Sequence, residues 1–129
     1  MQTSKIFLNS LIHCIDSVPF YIFIIMNIAD IVTGFMKGSL NKVPRSTTAS
    51  KGIMKHIAEI FGVLVVSTTF SMLEKNEYGQ MVIMAMYAVE GISLIGNLHA
   101  IGVPMPDWLV EFFGDIKDRK PTGKDDLNG

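Results

Sequence analysis

Three carboxylic acids lie in otherwise apolar stretches of the sequence: Asp30, Glu59 and Glu90. Acids in such surroundings could exchange protons with a substrate, as general acids and bases do. That chemistry needs a substrate bound in a closed site, and the three acids lie on separate short helical segments that leave little room for one. The sequence also lacks a phosphate-binding loop, a His-Glu-x-x-His motif and a nucleophile elbow. We therefore predict that the chain is not an enzyme.

The residues that most often bind metal ions are few and scattered. His13, His56 and His99 lie in different segments, and Cys14 is the single cysteine. Their spacing matches no known metal-binding motif, and one cysteine cannot form an intrachain disulfide. The sequence therefore predicts interfacial or packing roles for the histidines, and it predicts neither a metal ion nor another cofactor.

Composition favours a membrane protein. Hydrophobic residues make up 49% of the 129 residues, charged residues only 18%, and nine methionines are present. Mean hydropathy is +0.37. The net charge of −1 provides no positive field for a nucleic-acid partner, so the partner that we predict is the lipid bilayer. The N-terminal segment is a poor match to a cleaved signal peptide, and we expect no cleavage.

Three apolar segments have the length of membrane spans. They cover residues 18–36, 57–73 and 81–101, and the first is nineteen residues long. A helix needs about 20 residues to cross a hydrocarbon core of roughly 30 Å. We therefore predict an all-α membrane protein in which residues 18–101 form a domain of three transmembrane helices.

Asn27 and Asp30 interrupt the first span. An ionised carboxylate at the centre of a bilayer costs about 2.5 to 3.5 kcal/mol on insertion scales, so such a residue normally faces another helix, water or the interface. Asp30 lies about two helical turns before Lys37. We predict an interfacial position for Asp30 at the inner end of the span, paired with Lys37 or Lys55.

The third span has one polar face. At 3.6 residues per turn, Met86, Glu90, Ser93 and Asn97 lie on the same side of the helix. Glu90, Ser93 and Asn97 are therefore candidates to line a pore. The same three residues could equally serve only as polar contacts between helices, and the sequence leaves both interpretations open.

Small residues recur at the four-residue spacing that lets two helix backbones approach closely in lipid. Small residues are also common in any membrane helix, so this spacing alone does not prove a packing role. The candidate helix-packing residues are Gly34, Gly38, Ala58, Gly62, Ser67 and Ser71.

Both ends of the chain are predicted to be amphipathic helices at the membrane surface. In residues 1–17 one helical face is apolar, which suits either an interfacial anchor or the first turns of a longer helix. Residues 102–117 place Trp108, Phe112 and Phe113 on one side, and tryptophan is favoured at the level of the headgroups. Residues 118–129 are charged and predicted to be disordered.

The distribution of Lys and Arg predicts the orientation. With the segment between the first two spans and the C-terminal tail inside, nine cations are cytoplasmic and two, Lys5 and Lys75, are outside. We therefore predict the N-terminus outside and the C-terminus inside a bacterial cytoplasmic membrane. The residues assigned to this loop and to the topology are Asp30, Lys37, Lys42, Arg45, Lys51, Gly52 and Lys55.

Three segments resemble the phage lysis and toxin secretion holin family: ADIVTGFMKG, RSTTASKGIMKH and AVEGISLIGNLHAIGVPMPDWL. The family shows Asp-x-x-x-Gly at the end of its first span, a Ser/Thr pair with Gly-x-x-Lys before its second, and Glu-x-x-Ser-x-x-x-Asn with a following Gly and Pro in its third. Gly96 and His56 depart from this pattern, since the family often has Glu before the Asn and a second basic residue after Gly-x-x-Lys. The matching residues are Asp30, Gly34, Ser46, Thr47, Gly52, Lys55, Glu90, Ser93, Asn97, Gly102 and Pro104, with Pro106 just beyond.

The resemblance implies a homo-oligomer that permeabilises the bacterial membrane. Its functional partner would be an endolysin, released for host cell lysis, or a large toxin, exported from the cell. An antiholin is a further partner that the family allows. The alternatives are a non-lytic regulator of the same fold, which is an antiholin itself, and a small ion- or proton-coupled transporter.

A reporter fusion tests the predicted orientation. A reporter enzyme that is active only outside the cytoplasm, fused after Gly129, should show no activity, because the positive-inside rule retains the C-terminus in the cytoplasm. Activity of that fusion would contradict the orientation.

Overall fold

The computed structural model describes residues 1–42 and 45–118, and for residues 45–48 and 113–118 it describes the backbone alone. Regular structure within these ranges is helical and contains no strand. The predicted disordered tail lies outside the described residues apart from its first position. The helices, in order, are α1 (Gln2–Ile15), α2 (Val18–Leu40), α3 (Arg45–Met72), α4 (Asn76–Ile101) and α5 (Asp107–Asp118).

Three of these helices are long and apolar enough to cross a membrane. They are Val18–Leu40, Ala49–Met72 within α3, and Asn76–Ile101, with mean hydropathies of 1.8, 1.4 and 1.6. Helices of 23 to 26 residues extend about 35 to 39 Å, which exceeds a hydrocarbon core of roughly 30 Å. The predicted all-α fold with three membrane-spanning helices is confirmed.

The helices are longer than the apolar segments that predicted them. Much of the predicted loop between the first two spans is helical, because α2 continues to Leu40 and α3 begins at Arg45. Hydropathy locates the part of a helix that suits hydrocarbon, whereas the helix itself ends where the backbone leaves helical geometry. Lys42 and Glu74 have positive φ values of 53° and 58°, and they follow α2 and α3 respectively.

Local capping explains the start of α2 and the end of α4. The Ser17 side chain accepts a hydrogen bond from the Phe20 amide at 3.4 Å, and Pro19 occupies the first turn, where its missing N–H costs nothing. At the other end, Gly102 follows α4 with φ of 101°, a left-handed conformation that favours glycine.

The three long helices pack into a bundle in which α2 contacts α4 most extensively. Tyr87 of α4 donates a hydrogen bond from its Oη to the Pro19 carbonyl oxygen at 2.7 Å, which ties α4 to the start of α2. The buried apolar core is small and comprises Cys14, Phe20, Phe23, Val63 and Ile83.

Much of the apolar surface faces outward. Ile25, Phe61 and Met81 are 65%, 68% and 63% exposed, and many other large apolar side chains of the long helices are also exposed. A soluble protein rarely leaves so many large apolar residues in contact with water, whereas lipid is their preferred surroundings. The outer surface of the bundle therefore suits a bilayer.

Helix α1 is a separate element and not the first part of α2. It ends at Ile15, and it packs mainly on α3. The side that it buries carries Ser10 and Cys14, and burial raises the pKa of the Cys14 thiol. The predicted apolar face remains about half exposed, with Phe7 at 48% and Leu8 at 53%. Attachment of that face to the membrane surface stays a prediction.

Helix α5 also exposes aromatic residues. Trp108 is 67% exposed and Phe112 is 55% exposed, while the Phe113 side chain lies outside the described residues. Among the described elements, α5 contacts α4. The interfacial position of this helix stays a prediction.

One predicted small residue lies at a close approach of two helices. Ser67 of α3 is buried, and its Oγ donates a hydrogen bond to the carbonyl oxygen of Gly79 in α4 at 3.2 Å. A Cβ atom at Gly79 would lie 3.2 Å from the Ser67 carbonyl oxygen and 3.3 Å from its Cα. Gly79 was not among the predicted packing residues.

The other predicted small residues make fewer contacts within the protomer. A Cβ at Gly34 would lie 3.5 Å from Asn97 Nδ2, an ordinary van der Waals distance. A Cβ at Gly38 or Gly62 would meet nothing within 4 Å, and Ala58 is exposed. Ser71 is half-buried and lines a small cavity beside Gly79.

Substitution of these glycines tests the packing. Gly79→Leu should lower the free energy of unfolding in detergent by about 1 to 3 kcal/mol, because a side chain there meets the backbone of Ser67. Gly62→Leu is the matched control, since a Cβ at Gly62 has space and leucine favours helix over glycine. Equal stability of the two variants would contradict the close α3–α4 approach.

Candidate functional site

Polar side chains from the three long helices meet in the interior of the bundle. Helix α2 contributes Asn27 and Asp30, which are three residues apart and share one face. Helix α4 contributes Glu90 and Asn97, two turns apart. Together with residues from α3 they form a group that we call the polar cluster: Asn27, Asp30, Lys55, His56, Glu59, Glu90 and Asn97.

The centre of the polar cluster is almost completely shielded. Asn27 is 1% exposed, Asp30 3%, His56 5% and Glu90 0%. Lys55 differs, because 46% of its side chain is exposed, which places its ammonium group at the rim. Buried groups of this kind cost free energy unless partners satisfy them, so their contacts determine what the cluster can do.

His56 lies between the polar groups of all three helices. Its Nε2 is 3.3 Å from Asp30 Oδ2. Its Nδ1 is 2.9 Å from Asn27 Oδ1, 3.2 Å from Glu59 Oε2 and 3.7 Å from Glu90 Oε2. One imidazole therefore contacts two residues of α2, one of α3 and one of α4.

The Asn27 amide orients the imidazole. Asn27 Nδ2 donates a hydrogen bond to the Phe23 carbonyl oxygen at 3.0 Å, which turns the acceptor Oδ1 toward His56 Nδ1. A neutral imidazole carries one proton, and an acceptor beside Nδ1 favours that proton on Nδ1. Asp30 Oδ2 lies 3.3 Å from Nε2, so both ring nitrogens face an acceptor.

Asp30 joins α2 to both other helices. Asn97 Nδ2 donates a hydrogen bond to Asp30 Oδ1 at 2.7 Å, and Lys55 Nζ lies 3.9 Å from Asp30 Oδ2. Of the two predicted partners, Lys55 is therefore observed, whereas the ion pairs of the described residues do not include one between Asp30 and Lys37. Helix α2 continues ten residues beyond Asp30, to Leu40, so the carboxylate lies well inside the helix. Its depth in the bilayer stays a prediction.

The acids of the cluster outnumber its cations. Glu90 is fully buried, and among the described residues neither of its carboxylate oxygens has a hydrogen-bond partner. Glu59 Oε1 lies 3.5 Å from Lys55 Nζ, one turn earlier on α3, and within the described residues its Oε2 also lacks a hydrogen bond. Three carboxylates share one ammonium group and one imidazole, so the cluster has an excess of negative charge or bound protons.

The predicted polar face of the third span points into the protomer. Glu90 and Asn97 contact His56 and Asp30 respectively, and Ser93 is half-buried. Within one protomer these residues therefore act as polar contacts between helices, which is one of the two roles that the sequence left open. Whether they line a pore in an assembly stays a prediction.

A cavity of about 360 Å³ adjoins the polar cluster. It lies between the parts of α2, α3 and α4 that flank the α2–α3 connection, and its lining combines apolar residues with polar ones. Of the residues predicted for the loop and topology, Lys37 and Gly52 line it, Lys42 and Lys51 are exposed, and the Arg45 side chain lies outside the described residues. The lining residues that belong to the cluster or the predicted polar face are Asp30, Lys55, His56, Ser93 and Asn97.

Asn27, His56 and Glu59 were not predicted as site residues. The signal that could have found them is their spacing, since Asn27 and Asp30, like His56 and Glu59, are three residues apart on apolar helices. Two polar residues on one face of a membrane helix normally turn toward another helix. Of the remaining histidines, His13 and His99 are exposed.

Comparison with known proteins finds a family and several relatives. The sequence profile of the bacteriophage holin family matches residues 7–118. A probable holin of Bacillus phage phi105 is 31% identical over 107 residues, covering 80% of this chain and 78% of the phage protein. An uncharacterized protein of Bacillus subtilis strain 168, YqxH, is 25% identical over 138 aligned positions, covering 99% of this chain and 97% of the relative.

A further relative comes from Clostridium perfringens. It is an uncharacterized 14.9 kDa protein from the nagH 3' region, 26% identical over 105 residues, with 80% of each chain covered. No solved structure matches the chain.

Proposed function

The chain belongs to the bacteriophage holin family, and from this premise we propose that it oligomerises in the bacterial cytoplasmic membrane and permeabilises it. Membership indicates a membrane protein without enzymatic activity, and the likeness to a probable phage holin supports the same function. The opened membrane would release an endolysin for host cell lysis or export a large toxin. The observation that carries the proposal is the polar cluster buried between three membrane-spanning helices.

The polar cluster gives a physical reason for a change from closed protomer to open assembly. Acids in lipid are stable only while other helices or water surround them. In the protomer, α2 and α3 cover Glu90 and Asn97. When many protomers gather, the same side chains can exchange these contacts for water in a shared lumen, since water solvates carboxylates better than a helix surface does.

The outer surface of the protomer supports self-association. Ala58 is exposed and Gly62 has free space around its Cβ position, so this small-residue pair of α3 is not used by contacts within the protomer. Gly38 of α2 differs, because it lines the cavity beside the polar cluster. Helices in lipid associate through such residues because they allow the backbones to approach closely. A second copy of the chain is the partner that we propose for them.

The proposed orientation has the N-terminus outside and the C-terminus in the cytoplasm. The connection between α2 and α3 would then lie on the cytoplasmic side, together with Lys37, Lys42, Lys51 and Lys55. This connection is the end of the bundle toward which the cavity beside the polar cluster extends.

Removal of polar groups from α4 tests the proposal. The double variant Glu90→Leu, Asn97→Leu should insert into the membrane normally but fail to cause timed lysis when expressed with an endolysin, because the polar face that would contact water is lost. Val89→Leu, at a 44% exposed apolar position of α4, is the matched control and should lyse on time. Membrane fractionation measures insertion, and culture turbidity measures lysis. Unchanged lysis timing in the double variant would exclude these residues from the mechanism.

Expression of the chain alone separates a holin from the alternatives. Rapid loss of membrane potential at a threshold supports the proposed function, whereas prolonged growth supports an antiholin of the same fold. Saturable, substrate-specific flux in liposomes, in place of nonselective leakage, would support a transporter.

A further inference from the structure

We propose that Asp30, His56 and Glu90 bind one divalent transition-metal ion of the Zn²⁺ type in the interior of the protomer. One potential ligand atom from each of these residues lies within 4.8 Å of those from the other two, and all three residues are buried. The residues belong to α2, α3 and α4, so a single ion would connect the three membrane-spanning helices.

The geometry around His56 and Asp30 suits metal coordination. A tetrahedral ion with bonds of about 2.0 to 2.2 Å separates its ligand atoms by about 3.3 to 3.6 Å. His56 Nε2 and Asp30 Oδ2 are 3.3 Å apart, the separation of two ligands on one ion. Nε2 is also the ring nitrogen that carries the lone pair when Asn27 accepts the proton of Nδ1.

Both of these ligands have the outer-shell partners that metal sites usually provide. Asn27 Oδ1 accepts from His56 Nδ1 at 2.9 Å and fixes the orientation of the ring. Asn97 Nδ2 donates to Asp30 Oδ1 at 2.7 Å and leaves Oδ2 directed at His56. Such contacts select the histidine tautomer and align the carboxylate, and their loss typically weakens metal binding about 10- to 100-fold.

Glu90 supplies an independent observation that points to a ligand here. It is 0% exposed, it points into the cluster, and neither of its oxygens has a hydrogen-bond partner among the described residues. Its Oε2 lies 3.7 Å from His56 Nδ1, and one of its oxygens lies within 4.8 Å of the potential ligand atoms of His56 and Asp30. A divalent ion would also neutralise the excess negative charge of Asp30, Glu59 and Glu90.

The ligand set identifies the class of metal. One imidazole nitrogen with two carboxylate oxygens suits Zn²⁺ and Co²⁺, whereas Ca²⁺ and Mg²⁺ prefer sites made of oxygen alone. Three protein ligands leave the fourth position of a tetrahedral ion to water. The adjoining cavity of about 360 Å³, which Asp30 and His56 both line, provides an entry path.

Lys55 competes with the ion for Asp30. Its ammonium group lies 3.9 Å from Asp30 Oδ2, and its side chain is 46% exposed, so it can turn outward when an ion binds. Lys55→Met should therefore bind Co²⁺ more tightly than the wild type, because the competing positive charge is gone.

The test uses the full-length chain without a histidine tag, purified in detergent and freed of metal with a chelator. Titration with Co²⁺, followed by visible absorption, should show one ion per chain that Zn²⁺ displaces. Zn²⁺ should raise the thermal unfolding temperature, because it connects three helices, whereas equal concentrations of Mg²⁺ and Ca²⁺ should not.

Matched variants locate the ion. His56→Gln and Glu90→Gln should each weaken Co²⁺ binding more than about tenfold. Glu90→Gln keeps the shape of the side chain, so it tests the site even if His56→Gln does not fold. His13→Gln and His99→Gln change exposed histidines and should leave binding unchanged. Co²⁺ binding that is equal in wild type and Glu90→Gln, or that is lost in His99→Gln, would overturn the proposal, as would an equal response to Mg²⁺.

Discussion

Carboxylates cannot face hydrocarbon without a large cost in free energy, and this chain carries Asp30, Glu59 and Glu90 on helices that are otherwise apolar. The bundle satisfies this constraint by turning its polar residues inward around His56. The outward apolar surface, the contact of α2 with α4 and the position of the cavity all follow from that arrangement. Hydrophobic burial alone would not hold these helices together, since lipid is as apolar as their own side chains.

The contacts between helices in this structure are specific, but they do not restrict the protein to a single state. The buried apolar core is small, and the polar cluster and the Ser67–Gly79 approach add polar contacts between the helices. Polar contacts can be exchanged for water or for another protomer when either becomes accessible, whereas a large apolar core has no such substitute. This balance suits a protein whose proposed function requires a change from a closed protomer to an open assembly.

The elements of the fold could be predicted from the sequence because they depend on local properties. The length of an apolar run is enough to predict a membrane span, and the three predicted spans lie within observed helices except for Leu73, one residue beyond the end of α3. Helix periodicity placed Glu90 and Asn97 on one face, and both belong to the polar cluster. The family motifs drew attention to Asp30 and Lys55 for the same reason, since each motif is short and local.

Apart from the pair of Asp30 with Lys55, the sequence did not provide the pairing between helices. His56 and Asn27 are 29 residues apart, and Asn97 and Asp30 are 67 apart, so neither contact leaves a local signal. Gly79 was missed because a lone glycine at the start of a helix resembles a turn residue, and its role depends on the position of Ser67. The apolar face of α1 is about half exposed, and its use as a membrane anchor stays a prediction.

The central claim is that the polar cluster couples separate membrane-spanning helices within one protomer. A double-mutant cycle with Asp30→Ala and Asn97→Ala measures this coupling most directly, because the two side chains lie on α2 and α4 and meet at 2.7 Å. Unfolding of the four proteins in detergent should give an interaction free energy of about 0.5 to 3 kcal/mol. Additive effects, with an interaction free energy of zero, would contradict the claim.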